Sequence, residues 1–206
     1  PVYKDSVSLW QDTIKKNPSA WMAHNNLGKI SADNGMLKES INHYKNSIEA
    51  KSDYFLPHYN LGIAYAETGD FEEAINQYRT AIKITPRHFG AHNNLGDTLV
   101  KSGKILEAIS HYKTAIKMNP DFAPAHFGLG LALTMSQNTQ EAIHHYRIAI
   151  KINPEFFLAH NNLANALTKA GLLEEALAHY KIAIKISPDY FQAHFNLGNA
   201  LASNSN

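Results

Sequence analysis

Six histidines, His24, His58, His92, His126, His160 and His194, recur every 34 residues, and His43, His111, His145 and His179 form a second series. Imidazole binds metals and moves protons near neutral pH, so these series first raise a metal centre or a general base. The spacing argues against a metal. Members of one series stand a whole repeat apart, on the order of 10 Å for packed helix layers, whereas the ligands of one zinc ion each lie about 2 Å from it. His144 and His145 are adjacent in the chain and point to different helix faces. The histidines read as structural groups packed beside aromatics, with pH-sensitive stability as the lesser expectation. No other reaction centre is visible: there is no Gly-rich phosphate loop, no Ser or Cys nucleophile in an elbow, and no carboxylate pair distinct from helix-start charges. The chain contains no cysteine, which excludes disulfides and thiolate metal sites. The expectation is a protein that is not an enzyme, with no metal and no cofactor.

A chemistry that does fit is recognition of another chain. Asn26, Asn60, Asn94, Asn162 and Asn196 share one register, interrupted by Gly128. A side-chain amide offers a donor and an acceptor together, which is what holding a peptide backbone requires whatever its sequence. The alternative is that these amides only bridge neighbouring helices. One residue earlier, Asn25, Tyr59, Asn93, Phe127, Asn161 and Phe195 alternate polar with aromatic; four residues later, Lys29, Ile63, Asp97, Leu131 and Asn165 continue the alternation. Residues at i and i+4 share a helix face, so Tyr59 with Ile63 and Phe127 with Leu131 are expected to form apolar patches separated by a polar strip. Such patches are candidate anchor pockets, and the gap at Gly128 is a candidate place for a bulky ligand group.

The elements that must carry these residues follow from the period. Leu27, Leu61, Leu95, Leu129, Leu163 and Leu197 lie on one register, as do Tyr44, Tyr78, Tyr112, Tyr146 and Tyr180, and no insertion breaks the count. Each unit reads as two helices. Gly35, Gly69, Gly103 and Gly171 close the first helix by taking the left-handed conformation, and Pro18, Pro86, Pro120, Pro154 and Pro188 follow the second. Where Gln137 replaces the glycine, Asn138 is expected to accept the left-handed turn. The chain divides into a half-repeat at 1–20 with only a second helix, full repeats at 21–54, 55–88, 89–122, 123–156 and 157–190, and a half-repeat at 191–206 with only a first helix. That is a single array of about twelve helices, all-α. One pair cannot bury enough apolar surface to stand alone, so neighbours must stack into a solenoid. Ser40 and Ser47 replace the alanines of other units and are expected to loosen the first full one.

The net charge of +1 gives no global reason to expect a nucleic-acid partner. A basic series on the second helices, Lys45, Arg79, Lys113, Arg147 and Lys181, accompanies glutamates near those helices' starts, an arrangement that the helix dipole favours. No apolar run is long enough to span a bilayer. A soluble protein without membrane insertion is expected, in the cytoplasm rather than the periplasm, and the opening proline suggests processing or excision from a longer chain.

The leucine-glycine of the first helix and the alanine, tyrosine, alanine and proline that follow, seen as Leu61, Gly62, Tyr65, Ala74, Tyr78, Ala81 and Pro86, resemble the tetratricopeptide repeat family across essentially the whole chain. The resemblance implies a right-handed superhelix whose first helices line a concave groove receiving an extended peptide. The histidine series stands where the family prefers tryptophan. The asparagine column is similar to the ladder in the repeat domain of O-GlcNAc transferases. The clamp that some members use for acidic carboxyl termini is matched only at Asn60. The reading is a non-catalytic scaffold with a protein or peptide partner in the groove; alternatives are a homo-oligomer formed through uncapped terminal helices and the substrate-recognition arm of a glycosyltransferase.

Overall fold

A computed structural model of the chain describes residues 6–204. Residues 1–5 of the half-repeat expected at 1–20 lie outside the described residues. The helices are α1 (Ser6–Lys16), α2 (Trp21–Asp33), α3 (Leu37–Ala50), α4 (Phe55–Thr68), α5 (Phe71–Ile84), α6 (Phe89–Lys101), α7 (Ile105–Met118), α8 (Ala123–Met135), α9 (Thr139–Ile152), α10 (Phe157–Lys169), α11 (Leu173–Ile186) and α12 (Phe191–Asn204). Among the described residues there is no strand. The chain forms two compact units that meet in sequence at Gly103 and Lys104.

In the first unit, α2 packs on α3 and α4 on α5, and successive first helices touch, α2 with α4 and α4 with α6. Leu61, Ala64 and Tyr44 form a buried cluster against which Ile41, Ile48 and Tyr65 pack. The leucine-glycine pair explains the close approach. A Cβ built at Gly62 would lie 2.8 Å from Tyr78 Cδ1, so only glycine lets the ring lie against the helix backbone. Ser47 Oγ donates to the Trp21 carbonyl at 2.8 Å, pinning α3 to α2, while Ser40 Oγ is buried without a partner. The expected looseness of this repeat therefore rests on Ser40 alone.

The second unit repeats the plan, with α8 on α9, α10 on α11, and α8, α10 and α12 successive neighbours. Tyr146 is 1% exposed and its ring abuts Gly130. The turn between α8 and α9 differs from the sequence expectation. Gln137 itself takes the left-handed conformation, φ 64°, while Asn138 has φ −85° and ψ 61°, like Leu172 at the same place in the next repeat. The geometry of the helix pair places the turn, and an asparagine one residue later does not move it.

Candidate functional site

Within each unit, pairs of successive first helices leave clefts that share one register: α2 with α4, α4 with α6, and α10 with α12. The cleft between α2 and α4, about 210 Å³, is lined by Lys29, Asp33, Tyr44, Asn60, Ile63 and Glu67 among others. Between α4 and α6 the lining is Ile63, Glu67, Tyr78, Asn94, Asp97 and Lys101, again about 210 Å³. Between α10 and α12 it is Asn165, Lys169, Tyr180, Asn196 and Asn199, about 340 Å³. Each cleft therefore holds one tyrosine of a second helix and one asparagine of the column. Burial pushes the Tyr44 phenol up to about 12 and raises those of Tyr78 and Tyr180, so all three remain neutral hydroxyls in water near neutral pH. Tyr180 donates to Asn165 Oδ1 at 2.7 Å.

The asparagine column is half-buried at every position. Its amides reach the residue one place earlier on the preceding first helix: Asn60 Nδ2 donates to Asn25 Oδ1 at 3.3 Å, Asn94 Nδ2 to the Tyr59 hydroxyl at 3.0 Å, and Asn196 Nδ2 to Asn161 Oδ1 at 3.1 Å. Asn162 follows Phe127, which has no acceptor, and its amide makes no side-chain hydrogen bond among the described residues; neither does that of Asn26. Bridging thus takes up part of the column and leaves Asn162 open. At the gap, a Cβ on Gly128 would lie 2.5 Å from Tyr112 Cε1. The space expected for a ligand group is filled by the protein's own ring.

The alternating series also departs from the expectation. Asn25, Asn93 and Asn161 are 8%, 5% and 2% exposed, so they form no solvent-facing polar strip. Their register faces the neighbouring helix, which covers a short amide but leaves a longer ring partly outside. Asn93 Nδ2 donates to Asp97 Oδ2 at 3.0 Å, and its Oδ1 is buried without a partner. Tyr59 is half-buried and stacks on Phe55 (5.3 Å) and against His88 (5.1 Å), while Phe127 packs on Phe156 (4.8 Å) and Tyr146 (6.0 Å). Ile63 and Leu131 are half-buried, Asp97 and Asn165 exposed. Phe195 is 53% exposed and stacks on Phe191.

Two arrangements escaped the sequence reading. The first is an aromatic contact between the two ends of a repeat, present in three repeats as Trp21 with Tyr54 at 4.4 Å, Phe55 with His88 at 4.4 Å and Phe157 with Tyr190 at 5.0 Å, whose signal was a spacing of 33. The second is that the two histidine series pair with each other. His24, His126 and His160 place Nε2 at 3.0, 3.0 and 3.1 Å from the carbonyls of Pro18, Pro120 and Pro154, so Nε2 carries the proton. Neutral Nδ1 must then accept, and the Nδ1 atoms of His43, His145 and His179, at 3.3, 3.0 and 2.9 Å, donate. Each pair ties a second helix through a first helix to the preceding loop. Gln77 holds this place opposite His58 at 2.8 Å. Among the described residues no group of three or more His, Cys, Asp or Glu could hold a metal.

Three members of the basic series are engaged within the protein. Lys113 pairs with Glu141 at 3.1 Å and Arg147 with Glu175 at 2.7 Å, while Lys45 lies 5.8 Å from the Tyr65 ring centroid. No described helix is long and apolar enough to cross a membrane.

No curated protein matches the chain. Among solved structures it is similar to YrrB, described as a TPR protein with an unusual peptide-binding site, with TM-score 0.76 and 20% identity over 92% of this chain and 98% of that one. It is also similar to MamA (TM-score 0.73, 25% identity, 78% and 94% covered) and to residues 41 to the end of MamA from Desulfovibrio magneticus RS-1 (0.76, 22%, 82% and 96%). A TPR repeat model matches residues 28–69, 64–103 and 164–205, and two further tetratricopeptide repeat models match 93–155 and 145–178. Paired helices, left-handed turns in register and these matches agree: the chain belongs to the tetratricopeptide repeat family.

Proposed function

We propose that this protein is a non-catalytic scaffold that holds an extended segment of a partner protein along the face of its first helices. Tetratricopeptide repeat proteins are generally interaction scaffolds without catalytic activity. The observation that carries the reading is the recurrence of one cleft in register, each time with a tyrosine hydroxyl and a column asparagine. Clefts repeated along a helical array suit a ligand that is itself a repeating backbone. Ile63, shared by two clefts, supplies an apolar wall, and Asn162 supplies an uncommitted amide. The peptide-binding site named in the description of YrrB is consistent with this role.

The test is to select peptides from a random display library on the whole protein and titrate the winners against Asn162→Ala and Ile63→Ser. One lost hydrogen bond of about 0.5–1.5 kcal/mol weakens binding roughly two- to tenfold. Selected peptides that bind both variants as they bind the parent remove the reading. A second reading, assembly through terminal helices, draws on the exposure of Phe191 (74%), Phe195 (53%) and Leu201 (46%) on α12. A light-scattering mass that stays monomeric at every concentration eliminates it.

A further inference from the structure

Trp21 and Tyr54 begin and end one repeat, their ring centroids 4.4 Å apart with planes at 60°. The Lys51 ammonium lies 5.0 Å from the Trp21 centroid and 5.7 Å from that of Tyr54. The chain's own lysine therefore occupies this aromatic pair, attracted by the negative faces of the rings. Phe157 and Tyr190 hold the same two repeat positions in the second unit, 5.0 Å apart with planes at 70°. Both are half-buried, so each keeps surface open to solvent. The residue in register with Lys51 is Ser187, which supplies no charge. Carboxylates flank the rings in sequence: Asp189 directly precedes Tyr190 and Glu155 stands two residues before Phe157, and both are exposed.

We propose that Phe157, Tyr190 and Asp189 receive one lysine or arginine side chain of the partner segment, in the place that Lys51 fills from within the chain in the first full repeat. Two partly exposed aromatic rings with exposed carboxylates one and two residues away in the chain are complementary to a cation with an apolar stem and not to an anion or a neutral group. The site rests on the peptide-binding reading, because one exposed cation–π contact is too weak to hold a ligand by itself. The cation has to belong to a chain held elsewhere along the first helices, so that its binding becomes intramolecular.

The probe is a fluorescein-labelled peptide of alternating alanine and arginine, with a second in which citrulline, neutral and nearly isosteric, replaces arginine. Both are titrated by fluorescence anisotropy at low salt against the full chain. The arginine peptide is expected to bind more tightly. Ser187→Lys, which supplies the cation in cis as Lys51 does, is expected to lower arginine-peptide affinity about two- to fivefold and leave the citrulline peptide unchanged. Gln140→Lys, the same charge placed on α9, controls for general repulsion. Asp189→Asn is expected to weaken the preference without touching the core, and Lys51→Ala to strengthen arginine-peptide binding by opening the first site.

Equal binding of the two peptides, or an arginine preference that survives Ser187→Lys, overturns the proposal. If both peptides bind equally and Asn162→Ala weakens both, the cation site falls and the backbone-binding reading stands. Failure of both peptides to bind at any concentration removes both readings.

Discussion

Replacing Gly130 and Gly198 by alanine, one at a time, sets one chemical change against two environments in the same register of the repeat. In a helix interior the change is worth roughly 0.5–1 kcal/mol in alanine's favour, because glycine loses more backbone freedom on folding. At Gly130 the new Cβ lies 2.6 Å from Tyr146 Cε1 and 2.8 Å from Cδ1. Carbon contacts are optimal at about 3.5–4.0 Å, so the ring has to retreat by close to an ångström. Tyr146 is 1% exposed, sits 3.1 Å from Thr134 Oγ1 through its hydroxyl and packs on Phe127 at 6.0 Å, which leaves it nowhere to go. Overpacking of this kind costs about 1–3 kcal/mol, so Gly130→Ala is expected to destabilise the second unit despite the better helix former. At Gly198 a built Cβ meets no described atom within 4 Å outside its chain neighbours and the helix's own backbone, and Gly198→Ala is expected to stabilise α12 by roughly 0.5–1 kcal/mol. Native-state hydrogen exchange is the assay, since repeat arrays open locally and one global transition can average the two effects. Amides of α8 and α9 should exchange faster in Gly130→Ala, and those of α12 more slowly in Gly198→Ala. Adding Tyr146→Leu should relieve much of the penalty at 130. A neutral or stabilising Gly130→Ala would refute the claim that glycine is there to admit the ring.

Acid should weaken the fold through the histidine pairs. Burial, with His126 and His144 nearby, holds the His145 imidazole at about 4 instead of 6.5, and burial also lowers His43, His126, His160 and His179. The unfolded chain binds protons below pH 6.5 that the folded chain refuses, so stabilisation present above 6.5 is lost as pH falls towards about 4. His145→Gln, copying the natural Gln77, is expected to flatten that loss in urea titrations on either side of the window; an unchanged slope counts against the pairing. Gln137→Gly should raise stability by about 1 kcal/mol, because glycine takes the left-handed conformation without the penalty of a side chain. A lower denaturation midpoint would show that the glutamine side chain contributes something the geometry does not reveal. Arg147→Gln should cost less than about 1 kcal/mol, fading in high salt, since its pair with Glu175 is half-exposed on both sides. A loss that persists in salt would mean the pair does more than surface electrostatics.

The amino-acid sequence alone determined the helix pairs and their period. Leucine, glycine, tyrosine and proline recur at positions where a helix must start, bury a side chain or stop, and those demands are local. Spacing also bounds distance, so members of either histidine series stand a whole repeat apart. Only tertiary structure decided which polar groups are spent internally. Asn94 and Asn162 look alike in the chain, yet Tyr59 engages one and Phe127 cannot engage the other. Asn25, Asn93 and Asn161 read as surface residues until the neighbouring helix covers them. The pairing of His126 with His145 and of His160 with His179 spans two helices packed at a particular angle, and a spacing of 19 residues carries no meaning before that angle exists. A hydrogen bond forms within about 3 Å, and whether two side chains on different helices come that close depends on how the helices pack, which no local pattern specifies.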